Sequence, residues 1–116
     1  MPTTITGTNI SLTNGGNTLS MGPTAAVAKA WVNFNGTGTV AIRASSNVSS
    51  ITDNGIGRYI VNFSSAMPNA SYSAVSTNSN NEGGCYNLGT TSFQVYSNGG
   101  GGAVVDSSEI SAIVVS

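Results

Sequence analysis

Histidine is absent from this 116-residue chain, and lysine, tryptophan and cysteine each occur once. Without histidine the commonest general base, the Ser-His-Asp arrangement and most zinc sites are excluded together. The single cysteine, Cys85, cannot close an internal disulfide. In "NEGGCYNL" it has no basic neighbour to lower its thiol pKa, as a nucleophile requires, so it reads as a small packing residue. Charge is scarce too. Charged residues make up 6% of the chain, against about a quarter in a typical domain. Three cations form no basic patch, so nucleic acid is not an expected partner. No apolar run is long enough for a membrane-spanning helix, and "MPTTITGTNI" lacks the basic and apolar regions of a signal peptide.

The acids are Asp53, Glu82, Asp106 and Glu109. A glycosidase needs two opposed carboxylates, and Asp106 with Glu109 is the only close pair in sequence. Flanked by glycines and serines, these two are expected to solvate a loop and the start of the last strand. Asp53, in "DNG", is expected to cap its own turn. "GTGTV" and "NGGGGAVV" fit neither a complete P-loop nor a dinucleotide-binding pattern, and neither precedes a helix. They read as turns. Glycosylation sequons at Asn9, Asn47, Asn62 and Asn69 are chance matches in so asparagine-rich a chain. No catalytic residue, cofactor or metal ligand is expected.

What the chain has is Ser, Thr, Asn and Gly, together 60 of 116 residues, beside enough Val, Ile, Thr and aromatics to argue for folding rather than disorder. The length suits one domain, and hydrophobic content of 39% allows only a lean core. The best helical candidate is "PTAAVAKA" (23–30), a single turn. Elsewhere, runs rich in Val, Ile, Thr, Tyr and Phe sit between Gly and Asn clusters, as strands do.

In "AWVNFN", Ala30, Val32 and Phe34 alternate with Trp31 and Asn33; "NGTG" follows, and "TVAIR" resumes with Val40 and Ile42 on one face. Asn-Gly between alternating runs is a strong hairpin signal. A second hairpin runs through "NVSSIT", the "DNGIG" turn and "RYIVNF", where Tyr59, Val61 and Phe63 alternate. Further strands are expected in "SYSAVST" (71–77), "CYNLG" (85–89), "SFQVYS" (92–97) and "EISAIVVS" (109–116), with a weaker extended segment at 3–13.

Nine or so short strands predict an all-β domain, an antiparallel β-sandwich or jelly-roll-like barrel over 28–116, with an extended N-terminal arm over 1–27. A lean core without disulfide or metal points to oligomerisation, which also covers edge strands.

Trp31 lies on the face opposite Val32 and Phe34. It is either an aromatic platform for a sugar or an interface hot spot, or else that face is itself buried by the second sheet or a neighbouring subunit. Burial is the preferred reading. Lys29, Arg43 and Arg58 then stand at a rim or on plain surface.

Residues 28–75, "AKAWVNFNGTGTVAIRASSNVSSITDNGIGRYIVNFSSAMPNASYSAV", closely resemble a module of tail-fibre-like and other structural proteins of tailed bacteriophages. The matching elements are the Lys-Ala-Trp-Val-x-Phe start (29–34), the Gly-Thr-Gly turn (36–38), the Asn-Val-Ser-Ser-Ile-Thr-Asp-Asn-Gly hairpin (47–55) and the aromatic-rich strand running into Ala-Met-Pro (59–68). The resemblance implies an extracellular β module, commonly trimeric, with no catalytic residues. In such fibres the module ends a much longer chain. Here some 27 residues precede it, a reach of roughly 90 Å at about 3.3 Å per residue, which suits docking on a particle better than projection from it.

The expectation is therefore a non-enzymatic protein of the virion surface, made in the host cytoplasm and released by lysis. It decorates or cements the capsid as a homotrimer against major capsid or tail proteins. The alternative is a short tail-fibre or head-appendage protein binding host-surface glycans, with Trp31, Tyr86, Tyr96 and the "NGGGG" loop (98–102) as contacts and Lys29 beside them. A free lectin is a more distant reading. An ice-binding role for "TTITGT" is disfavoured, because Thr-x-Thr does not recur at a regular spacing along the chain.

Overall fold

Among the described residues ten strands, most of them alternating apolar with polar side chains, form three antiparallel sheets. The computed structural model describes residues 10–14, 17–21, 27–80 and 82–116. The strands are β1 (Ile10–Asn14), β2 (Asn17–Met21), β3 (Ala28–Asn35), β4 (Ala41–Ser46), β5 (Val48–Asp53), β6 (Arg58–Phe63), β7 (Ser73–Asn78), β8 (Glu82–Tyr86), β9 (Ser92–Asn98) and β10 (Ile110–Val115). Two four-stranded sheets, ordered β4-β3-β10-β7 and β5-β6-β9-β8, pack face to face. Of the two expected architectures this is the sandwich. Within the arm, β1 and β2 form a hairpin of their own, in the register Ile10↔Met21, Leu12↔Leu19. The rest of residues 1–26 lies outside the described residues, including the sequon at Asn9 and all of "TTITGT".

Period-two alternation decides which side chains meet between the sheets. Ala30, Val32 and Phe34 of β3 and Ile110, Ala112 and Val114 of β10 are buried from one side. Tyr59, Val61 and Phe63 of β6 and Phe93 and Val95 of β9 meet them from the other. The Phe34 and Tyr59 rings stand edge to face with centroids 5.2 Å apart, joining the two layers. Met67 and Tyr72 close one end, with Tyr72 donating to the Gly89 carbonyl at 2.7 Å. Val40 and Ile42, expected on one face, both pack against this core.

Both hairpin turns form where Asn-Gly marks them. Gly38 (φ 59°) lies between β3 and β4, and Gly55 (φ 114°) and Gly57 (φ 65°) lie between β5 and β6. Asp53 caps its turn as expected, accepting the Gly55 N–H at 3.1 Å. Gly57 has a second constraint: a Cβ there would lie 2.6 Å from the Ser97 carbonyl oxygen. Asn47 (φ 53°) turns the chain from one sheet to the other. Its amide nitrogen donates to the Lys29 and Ser65 carbonyls, and its oxygen accepts the Ser65 N–H at 2.7 Å. An asparagine suits this left-handed position because its short polar side chain bonds locally.

Three local expectations need correction. Residues 28–30 of "PTAAVAKA" are strand, because pairing with the end of β10 outweighs alanine's helical preference; 23–26 lie outside the described residues. The strand expected over 85–89 runs instead over Glu82–Tyr86, where Gly83 and Gly84 pair with β9. Asp106 does more than wet a loop. Its Oδ1 accepts the Tyr59 hydroxyl at 2.8 Å and the Gly57 N–H at 2.9 Å, tying the segment before β10 to the head of β6.

Candidate functional site

The residues that do not face the core lie on two outer faces, one per sheet, and these differ in chemistry. On the β4-β3-β10-β7 face, Trp31 pairs with Ile113 and Ile113 with Val75. The three form an apolar row across three strands, and they are 40%, 39% and 62% exposed. A groove of about 390 Å³ follows this row, its polar side formed by Asn33, Ser111 and Thr77. Asn33 donates to the Ser111 hydroxyl at 2.9 Å and accepts from the Arg43 guanidinium, which also donates to the Ser108 carbonyl. Arg43 is therefore held at the rim of the groove, and Lys29 occupies the next alternate position of β3 and is exposed.

The second sheet does not cover Trp31; it packs on the opposite side, over Val32 and Phe34. The expected burial of that face by the second sheet is therefore corrected: among the described residues Trp31 is 40% exposed.

On the β5-β6-β9-β8 face, Arg58 pairs with Tyr96 and Tyr96 with Gly84, while Tyr86 pairs with Gln94. The Tyr86 and Tyr96 rings lie 6.1 Å apart, inclined at 56°. The Tyr96 ring covers Gly84 so closely that a Cβ there would lie 2.7 Å from Cε1. It thus lies along the sheet instead of standing off it. The Arg58 guanidinium sits 5.8 Å from the Tyr86 centroid and donates to the Tyr86 hydroxyl at 3.4 Å. Around them are Asn62, bonded to Ser50 and Thr52, and Asn98, bonded to Glu82 at 3.3 Å. The "NGGGG" loop continues from Asn98. It closes on itself through Gly99 N–H to the Ala103 carbonyl at 2.9 Å, with Gly101 and Gly102 at positive φ.

The four expected contact residues are therefore divided. Trp31 and Lys29 are on one face, Tyr86 and Tyr96 together on the other. Sequence reading missed Ile113 and Val75 as companions of Trp31, although alternation from Ile110, Ala112 and Val114 already placed Ile113 outward. It also missed Gly84 as the seat of Tyr96.

Burial shifts some of the ionisable groups. Burial raises the Tyr59 hydroxyl well above its ordinary pKa, and its bond to Asp106 adds to this. Burial likewise pushes the Cys85 thiol up, while the Ser76 hydroxyl beside it acts the other way. That direction is the opposite of what nucleophilic activation needs. Among the described residues no group of three His, Cys, Asp or Glu is placed to hold a metal ion, and no helix is long and apolar enough to cross a membrane. Comparison with protein-family models, with curated proteins and with solved structures returned no match to this chain.

Proposed function

We propose that this chain is a non-enzymatic structural protein of the exterior of a tailed-phage virion, a capsid decoration or cement protein that docks as a homotrimer. The observation that carries this reading is the exposed Trp31–Ile113–Val75 row. An apolar strip rimmed by amides, hydroxyls and one arginine is the composition of a protein interface. Tryptophan and arginine are the residues that dominate such contacts. The resemblance of residues 28–75 to a phage structural module supports the same reading. So does a surface wetted by Ser, Thr and Asn instead of ions. Binding only to the assembled shell stabilises that shell by mass action, which is how a cement protein acts.

A second reading, a short tail-fibre or head-appendage protein that binds host-surface glycans, is favoured by one specific observation: the Tyr86–Tyr96 pair with Arg58 beside it.

The test is the copy number of this chain in purified particles, by quantitative mass spectrometry against the major coat protein. A ratio approaching that of the coat is the expected result. A small fraction of the coat would replace decoration by the appendage reading. Absence from particles would overturn both.

A further inference from the structure

We propose that the outer face of the β5-β6-β9-β8 sheet binds an acidic oligosaccharide, a pyranose resting on Tyr96 and Tyr86 with its carboxylate on Arg58. This rests on the glycan reading of that face and narrows it to a class of sugar. Three features of the face point the same way.

The first is the lie of the rings. A pyranose presents a patch of C–H groups that packs on an aromatic face, which requires a ring lying along the surface. Gly84 provides that geometry, because the absence of a Cβ lets the Tyr96 ring settle on the backbone of β8. Glycine in a strand costs stability and often marks a close approach. Tyr86, inclined at 56° to Tyr96, then forms a second wall for the same sugar.

The second is the surrounding polar set. Gln94 beside Tyr86, and Asn62, Ser50 and Thr52 on the two strands beyond, offer amides and hydroxyls at alternate positions of the sheet, with Ile60 the one aliphatic side chain set between Thr52 and Gln94.

The third is charge. Arg58 is exposed, its one described side-chain hydrogen bond is the long one to the Tyr86 hydroxyl, and no described carboxylate pairs with it. Its planar fork matches a carboxylate. Glu82 stands with Asn98, one alternate position along from the Tyr96 row, about 7 Å further on. A sugar acid is therefore drawn to the Arg58 end and repelled from the other, which fixes its direction on the face.

Titrating the isotope-labelled full chain with tetragalacturonate, and separately with neutral galactotetraose, while following backbone amide resonances, tests this. Saturable shifts centred on Arg58, Gln94 and Tyr96 are expected, with the acidic sugar binding roughly tenfold tighter. Arg58→Gln, at an exposed position that leaves folding intact, should bring the two sugars to the same affinity. Gly84→Ala should weaken both by lifting the Tyr96 ring without removing it. Equal affinity of the native chain for both sugars would overturn the acidic assignment and leave the glycan reading standing. The absence of shifts with either sugar at millimolar concentration would overturn both.

Discussion

The two outer faces of the sandwich have the same strand geometry and opposite chemistry. One carries Trp31, Ile113 and Val75 in a row, with polar groups at its margin. The other is mostly amide and hydroxyl, with two tyrosines, an arginine, a glutamate and a single aliphatic residue, Ile60, set into it. A β-sandwich needs only its inner faces to fold, so its outer faces are free to differ. The proposed division of labour follows this difference, with a protein neighbour on the apolar face and a hydroxylated ligand on the polar aromatic one. The substitutions below either destroy both faces, affect one of them, or leave both in place.

The largest effect should come from Gly57→Ala, which is aimed at the frame both faces share. The position combines φ 65° with a Cβ that would lie 2.6 Å from the Ser97 carbonyl oxygen and 2.9 Å from Val105 nitrogen, all backbone that cannot swing aside. A loss of about 3 kcal/mol or more is expected in chemical denaturation, from left-handed strain together with displaced backbone. A variant as stable as the native chain would mean that the β5–β6 turn is not held as described.

Trp31→Ser should come next and act on association alone. Removing a central interface tryptophan costs about 2 kcal/mol or more of binding, so the proposed homotrimer should shift towards monomer in light scattering while monomer stability changes little. Tyr96→Ala should leave the assembly intact. If both substitutions had the same effect on association, the division of labour between the faces would be wrong.

Tyr59→Phe tests the bond that pins β6 to the segment before β10. Leaving Asp106 without its hydroxyl donor should cost about 1–2 kcal/mol. The substitution also has a pH signature. In the unfolded chain a tyrosine releases its proton near 10.0, whereas in the folded chain Tyr59 holds it to much higher pH. The folded state therefore binds more protons than the unfolded state above that point. Stability is complete below about pH 10 and falls as pH rises further. Tyr72 and Cys85, both raised by burial, slope the same way, the thiol from nearer 9.0. The phenylalanine variant should show a shallower alkaline decline in thermal melts than the native chain.

The smallest effect on the frame should be that of Arg58→Gln. Arg58 is exposed and its hydrogen bond to Tyr86 is long, so stability should change by less than about 0.5 kcal/mol and association not at all. A loss beyond that would give Arg58 a role in the fold and weaken its assignment to a ligand.

Much of this architecture was legible because alternation is a local property. The buried sets Ala30–Val32–Phe34 and Tyr59–Val61–Phe63 were readable from β3 and β6 alone, as were the Asn-Gly turns that follow β3 and β5. The faces were legible only in part. Alternation says that Trp31 points away from the core, but which residues stand beside it depends on strand order. That order brings residue 113 between residues 31 and 75. Nothing in a short run of sequence carries such pairing. The strand at 82–86 was misplaced for a related reason: it is an edge strand whose two glycines erase the pattern that marks strands elsewhere. Asp106 was misjudged because its partner, Tyr59, is 47 residues away.

Val27 and Ser116 exchange hydrogen bonds in both directions, each 3.2 Å long, so the chain crosses into and out of the sandwich at neighbouring points. Such a domain behaves as a plug-in cassette. It can be spliced into a surface loop of an unrelated carrier without prising the carrier's loop ends apart. Residues 27–116 should equally accept joining at these two points and reopening elsewhere, at the glycine loop over 99–102 for example, with the two sheets kept.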